Sequence, residues 1–453
     1  MEKRSNFTGK IGYVLAAAGA SVGLGNIWRF PYLAAKYGGG IFLLVYILLA
    51  ITFGYTMIIA ETAIGRKTGK SPVGAFRSLG KHRVVRVGGW INAIIPILIV
   101  PYYSVIGGWV CKYLYEFIAG NTETIIKDNF FTTFISSGIQ TEFWFICFSI
   151  AVLLVIFLGV ENGIEKVSKF MMPVLVLLSI VICVYSISRP NALGGVLYFL
   201  IPDFRRFSVM TVVSALGQMF YSLSIAMGIL ITFGSYMKKE ISIEQSTQQV
   251  EIFDTAVAIL AGLIIIPAVF SFSNGDTDAL NAGPSLMFIT MPKIFYEMGL
   301  GRIIGILFFV LVLFAALTSA IALTESAVST FVDEFGWKRS RSILVISIII
   351  LVLGSLSSLG YGPLANIKIL GMPFLDFFDF ITNSVMMPIA AMFICLLVSR
   401  DMSIEEIDNE VSLNGQPFRR KRTFKYMIHY IAPIFVLIIL FSAVANVMGW
   451  IQM

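Results

Sequence analysis

The sequence predicts an all-α integral membrane protein of about eleven transmembrane helices. Three observations predict it: the chain is too apolar for water, its apolar runs match a bilayer in length, and its cations gather between alternate runs. Of 453 residues, 57% are hydrophobic and 13% charged, with a mean hydropathy of +0.87. A soluble domain carries roughly a quarter charged residues. The apolar runs reach the roughly 18 to 20 residues that cross about 30 Å of hydrocarbon as a helix.

In chain order the spans read 11–36, 40–64, 88–118, 142–159, 167–187, 209–237, 249–273, 302–332, 342–359, 373–399 and 428–450. With the first end inside, 23 of the 33 Lys and Arg fall on the inner face, nine on the outer face, and Arg29 within a span. The inner clusters are Arg66 to Arg86, Lys238–Lys239, Lys338 to Arg341 and Arg419 to Lys425. That asymmetry predicts a cytoplasmic N-terminus and an external C-terminus in a cell's plasma membrane. It also accounts for the net charge of +7 through topology and anionic lipid, without nucleic acid. The first ten residues, with Lys3, Arg4 and Lys10, lead into a long apolar run that lacks a cleavage site, so no removable leader is expected. The longest loops, 119–141, 274–301 and 400–427, are too short for a separate domain. Gly283-Pro284 and Pro292 predict short helices folded over the outer mouth. Cys111, Cys147, Cys183 and Cys395 are scattered among apolar runs and read as small buried hydrophobes. With only His82 and His429, and no activated nucleophile, an enzyme is not expected.

Two spans carry breakers and polar groups in mid-membrane. The first reads Ala18-Gly19-Ala20-Ser21-Val22-Gly23-Leu24-Gly25-Asn26, and each glycine weakens a helix by about 1 kcal/mol relative to alanine. Small residues also serve close helix packing, so glycine alone leaves two readings. Ser21 and Asn26, followed by Trp28-Arg29-Phe30-Pro31, favour an unwound segment lining an enclosed cavity. The sixth span, at Gly217-Gln218-Met219-Phe220-Tyr221-Ser222-Leu223-Ser224, repeats the pattern. Matched interruptions in two halves point to a transporter with inverted repeats, whose half-helix amides face an anionic group and whose free carbonyls face a cation.

These residues carry a resemblance. Ala18 to Tyr32 with Gly38-Gly39-Gly40, then Ala60-Glu61-Thr62-Ala63-Ile64-Gly65-Arg66, Gly217 to Ser224, Ala315-Ala316-Leu317-Thr318-Ser319 and Asp376-Phe377-Phe378-Asp379-Phe380 resemble, in order, the motifs of the neurotransmitter:sodium symporter family. The likeness is to its prokaryotic eleven-helix members, with the fold of the bacterial leucine transporter. It implies one transmembrane transporter domain over 1–453: repeat one at 8–187, repeat two at 207–400, and an added helix at 428–450. It also implies symport of an amino acid with two sodium ions, with the bilayer and the substrate as partners and no obligatory protein partner.

By the same resemblance, a first sodium site uses the Ser21 carbonyl, Asn26, Ser222 and Asp254, completed by the substrate carboxylate. A second uses carbonyls of Gly19, Val22 and Ala315 with the hydroxyls of Thr318 and Ser319. Asp254 departs from the family's usual Asn. A carboxylate in mid-membrane is functional by default, and the position one turn later, where some bacterial members hold Glu, is Ala258. Asp254 is therefore expected to ligate sodium and to supply the charge that chloride supplies in animal members, so no chloride requirement is expected. Gly23 stands where monoamine carriers hold Asp, so the ligand is expected to bring its own carboxylate. Tyr103 and the amides of Leu24 and Gly25 would receive that carboxylate, and the carbonyls of Ala20, Tyr221 and Ser224 the ammonium. Ile99, Tyr221, Met227, Ser319 and Leu323 would face the side chain, and Ser21 and Ser222 would complete the twelve substrate-binding positions. This mostly apolar lining favours a neutral hydrophobic or aromatic L-amino acid.

The resemblance also implies an outer latch of Arg29 and Asp379 with Tyr103 and Tyr221 as lid, and an inner latch of Arg4 and Asp333 with Phe7 and Tyr236. Gly163 and Pro173 would mark a turn of the fifth span that unwinds. The rival reading is an amino-acid-sensing receptor or channel on the same scaffold.

Overall fold

A computed structural model describes residues 6–273, 285–448 and 450. Each predicted span is helical, because a backbone in hydrocarbon has to satisfy its amides and carbonyls within its own segment. Among the described residues, nine helices are long and apolar enough to cross a membrane: α3 (Gly40–Thr68), α4 (Arg83–Ala119), α5 (Gly138–Phe157), α6 (Val160–Ile187), α9 (Ile243–Ser273), α10 (Gly301–Phe335), α11 (Arg339–Leu359), α12 (Phe374–Asp401) and α13 (Lys421–Asn446). The first span is a bent pair, α1 (Lys10–Ser21) and α2 (Gly25–Lys36), at 55°. The sixth is two shorter pieces, α7 (Val209–Ser222) and α8 (Ile229–Ser235). Several helices overrun the apolar stretch by a turn or more: α4 begins at Arg83, α6 at Val160 and α9 at Ile243. Hydropathy marks the hydrocarbon slab, whereas a helix continues into the interface for as long as its backbone stays paired.

The interior consists of α3, α4, α9 and α10 around the two broken pairs. α10 lies along α4, α8 and α7 against α3, and α1 against α6, α9 and α10. The hydrophobic window of α10 is 72% buried, against 33% for α5, α6 and α13, whose outward residues such as Leu154, Phe441 and Ile434 are exposed. Such faces suit lipid. Across the end opposite the basic clusters lie helices Leu286–Thr290 and Met291–Glu297. Phe288 there packs on Trp28, Trp109, Tyr113 and Phe131. Gly283-Pro284 lies outside the described residues. All four cysteines are free.

Candidate substrate and ion site

The site is built from the two helix breaks. α1 stops at Ser21, Val22 turns extended (φ −73°, ψ 97°), and α2 begins at Gly25. The Gly23 amide donates to Asn26 Oδ1 at 3.1 Å, and the Leu24 amide to the Tyr103 phenol oxygen at 3.3 Å. The carbonyls of Gly19, Ala20 and Val22 take the Ser319 hydroxyl at 3.2, 3.2 and 3.3 Å.

The second break passes through left-handed backbone at Ser224 (φ 53°), Ala226 (φ 60°) and Gly228 (φ 70°). For Ser and Ala this conformation costs about 1–3 kcal/mol and persists only where surroundings impose it. Here Glu61, fully buried in α3, accepts the Ala226 amide at 2.7 Å. The Ser224 hydroxyl donates to the Ala20 carbonyl at 2.9 Å, tying the two breaks together, and Gln218 Nε2 donates to the Gly25 carbonyl at 3.0 Å. At Gly228 a Cβ would sit 2.8 Å from the Asn92 carbonyl, so only glycine fits.

Asp254 of α9 points into this junction with no solvent exposure. It accepts from Asn26 Nδ2 at 2.8 Å, from the Tyr46 hydroxyl at 3.0 Å, and from the Ser222 hydroxyl at 2.9 and 3.0 Å. Ala258, one turn on, is buried and brings no charge. Among the described residues no three His, Cys, Asp or Glu side chains cluster as metal ligands. The donor set is therefore carbonyls, an amide, hydroxyls and one carboxylate, which suits a hard cation of low charge. The second group of oxygens also comes together. Gly19 and Val22 meet Ser319, while the Thr318 hydroxyl donates to the carbonyls of Phe314 at 2.9 Å and Ala315 at 3.2 Å, the usual resting bonds of a helix hydroxyl.

All twelve residues expected around the substrate line one small cavity of about 30 Å³, together with Gly23 and Asn26. A wider cavity of about 390 Å³ lies beyond it, lined by Arg29 and Asp379 among others. Leu24, Tyr103 and Tyr221 border both, so they form the partition. Arg29 lies over the Tyr221 ring at 5.3 Å. Asp379 accepts Asn383 Nδ2 at 2.6 Å, and Asn383 also donates to the Tyr102 hydroxyl. A Cβ on Gly23 would meet Ser319 Oγ at 2.8 Å and Tyr103 Oη at 3.2 Å.

At the basic end, the Phe7 amide donates to the Tyr236 carbonyl at 3.1 Å and their rings stand 6.2 Å apart. Asp333 accepts the Ser71 amide at 2.7 Å. Arg4 lies outside the described residues. Gly163 sits in a π-helical turn, Val160–Glu165, and Pro173 within the α-helical remainder of α6, so this stretch is helical throughout.

Sequence reading missed Tyr46, Glu61 and Glu325. Glu325 is fully buried in α10 and takes the Tyr236 hydroxyl at 2.8 Å and Arg339 Nη2 at 2.5 Å. The two glutamates carried a signal, being ionisable groups inside apolar spans. Tyr46 carried none, since an aromatic in a span reads as packing.

A membrane bundle with two broken helices enclosing a central polar cavity has the architecture of a secondary transporter. The sodium:neurotransmitter symporter family model matches residues 4–125 and 129–450, and the chain belongs to that family. It is similar to sodium-dependent transporters of Bacillus subtilis (33% identical over 449 residues, 98% of both chains) and Methanocaldococcus jannaschii (29% over 462 residues, 98% of this chain and 92% of the relative). A sodium- and chloride-dependent GABA transporter of Drosophila melanogaster is 26% identical over 377 residues, covering 74% of this chain and 40% of the relative. The crystal structure of MhsT in complex with L-phenylalanine superposes with a TM-score of 0.87 at 35% identity, over 97% of this chain and 100% of that one. The protein is a sodium-dependent, multi-pass membrane transporter and not an enzyme.

Proposed function

We propose that the protein imports a neutral hydrophobic or aromatic L-amino acid by symport with two sodium ions, without chloride. The observation that carries this is the meeting of the two breaks at one cavity, with amides and the Tyr103 phenol on one side and the Asp254 carboxylate beneath. In this reading the Leu24 and Gly25 amides and Tyr103 hold the substrate carboxylate, and the carbonyls of Ala20, Tyr221 and Ser224 hold its ammonium. The first sodium bridges that carboxylate to Asp254, Asn26, Ser222 and the Ser21 carbonyl. The second lies among Gly19, Val22, Ala315, Thr318 and Ser319. Ile99, Met227 and Leu323 leave the substrate's side chain an apolar berth. The phenylalanine bound by MhsT, a 35% identical protein, supports that substrate class.

Alternating access follows from the rest. The two repeats, 8–187 and 207–400, rock about the site. Arg29, Asp379, Tyr103 and Tyr221 close the outer side, and Phe7, Tyr236, Asp333 and Arg4 close the cytoplasmic side. Basic clusters put the N-terminus in the cytoplasm of a plasma membrane and the C-terminus outside. Each sodium entering down 100 mV supplies about 2.3 kcal/mol, and a tenfold gradient adds about 1.4 kcal/mol. Two ions therefore suffice to concentrate a neutral amino acid at least a hundredfold.

Scintillation proximity binding of each of the twenty amino acids, in sodium and in choline, tests the reading. Retention of phenylalanine and other large apolar residues in sodium alone is expected. Binding that ignores the replacement of sodium, or that prefers charged residues, contradicts it.

A further inference from the structure

Neither the substrate cavity nor the two groups of ion oxygens uses Glu165, yet it is among the most buried carboxylates in the protein, 1% exposed. It closes the π-helical turn of α6, in the stretch bounded by Gly163 and Pro173. Its carboxylate accepts the Thr8 amide at 2.8 Å and the Thr8 hydroxyl, and pairs with Lys169 at 2.6 Å. Thr8 is held from the other side as well: Lys238 Nζ donates to its carbonyl at 2.9 Å. With the Phe7 amide on the Tyr236 carbonyl, the segment before α1 is clasped between α6 and the end of α8. α1 makes room for the clasp at Gly12, where a Cβ would lie 2.3 Å from Glu165 Cδ and Oε1.

We propose that Glu165 is the anchor that keeps the protein closed at its basic end, and that its bonds to Thr8 have to break before the Gly163–Pro173 turn opens. A buried carboxylate with three donors is stable only while they stay in place. Unwinding the turn carries Glu165 away from Thr8, and moving the segment before α1 carries Thr8 away from Glu165. The two motions therefore share one set of bonds, and breaking it obliges water to enter and solvate the carboxylate. Glu165 is a positioning residue, since it touches neither ion nor substrate oxygens.

Hydrogen–deuterium exchange on the full chain in nanodiscs tests this without any ligand. In E165A, peptides covering residues 6–9 and 160–172 are expected to exchange about tenfold faster or more, the population shift expected from losing charged hydrogen bonds. Core peptides of α4 and α10 should keep their rates. Gly12→Ala, which favours the α1 helix while displacing the carboxylate, should quicken the same two segments, and E165Q should fall between wild type and E165A. Unchanged exchange in those segments, or equal acceleration everywhere, overturns the anchor. The coupling to transport rests on the function proposed above, and it is read from sodium-dependent phenylalanine binding. The sodium half-saturation of E165A should rise at least threefold, and an unchanged value alongside faster exchange overturns the coupling. Absence of phenylalanine binding in the wild type would instead count against the transport reading and leave the anchor standing.

Discussion

Replacing Asp254 with Asn removes the carboxylate that faces Asn26 and Ser222 at the junction of the breaks and little else. The amide oxygen still accepts from two of the three donors, Asn26, Tyr46 and Ser222, that surround the carboxylate at 2.8–3.0 Å. Packing is preserved, so the change isolates charge. For unit charges about 4 Å apart at an effective dielectric of about 20, the attraction is about 4 kcal/mol. A neutral oxygen recovers part of that, so sodium affinity should fall about 10²- to 10³-fold. The assay is a sodium titration of labelled phenylalanine binding to purified wild type and D254N, with a thermal melt to show that both are folded. A half-saturating sodium concentration within twofold of wild type would refute the assignment of Asp254 to the ion.

Further outcomes follow from the same geometry. Replacing chloride with gluconate should leave uptake unchanged, because in the proposed reading Asp254 supplies the anion; a strong loss in a flux assay would contradict this. Tyr103→Phe deletes the phenol that receives the Leu24 amide at 3.3 Å and should weaken substrate binding about tenfold, measured by competition. Gly23→Ala places a methyl against Ser319 and Tyr103 and should abolish binding while the melting temperature holds. Glu61→Ala orphans the Ala226 amide in a strained turn and should destabilise the fold by about 1–3 kcal/mol, with E61Q milder, as read by thermal unfolding in detergent.

Much of this was legible in the chain. A bilayer imposes long apolar helices, and any departure inside them has to be explained, so Gly19, Gly23 and Gly25 beside Ser21 and Asn26 announced the first break, and Gln218, Ser222 and Ser224 the second. The twelve positions expected to face the substrate came from motif resemblance, and the fold gathers them at one cavity. Less was legible where a residue's role depends on a partner distant in sequence. Glu61 meets Ala226 across 165 positions, Tyr46 meets Asp254 across 208, and Glu165 meets Thr8 across 157. No local pattern encodes those meetings. The strain at Ser224 and Ala226 was equally hidden, because neither residue type advertises a left-handed backbone.

The most direct test is uptake of labelled L-phenylalanine into proteoliposomes carrying an inward sodium gradient. Accumulation above the external concentration is expected, abolished by choline in place of sodium and collapsed by a sodium ionophore. Equilibration without accumulation, or ligand-gated current without coupled uptake, would contradict it and make the protein a receptor or channel.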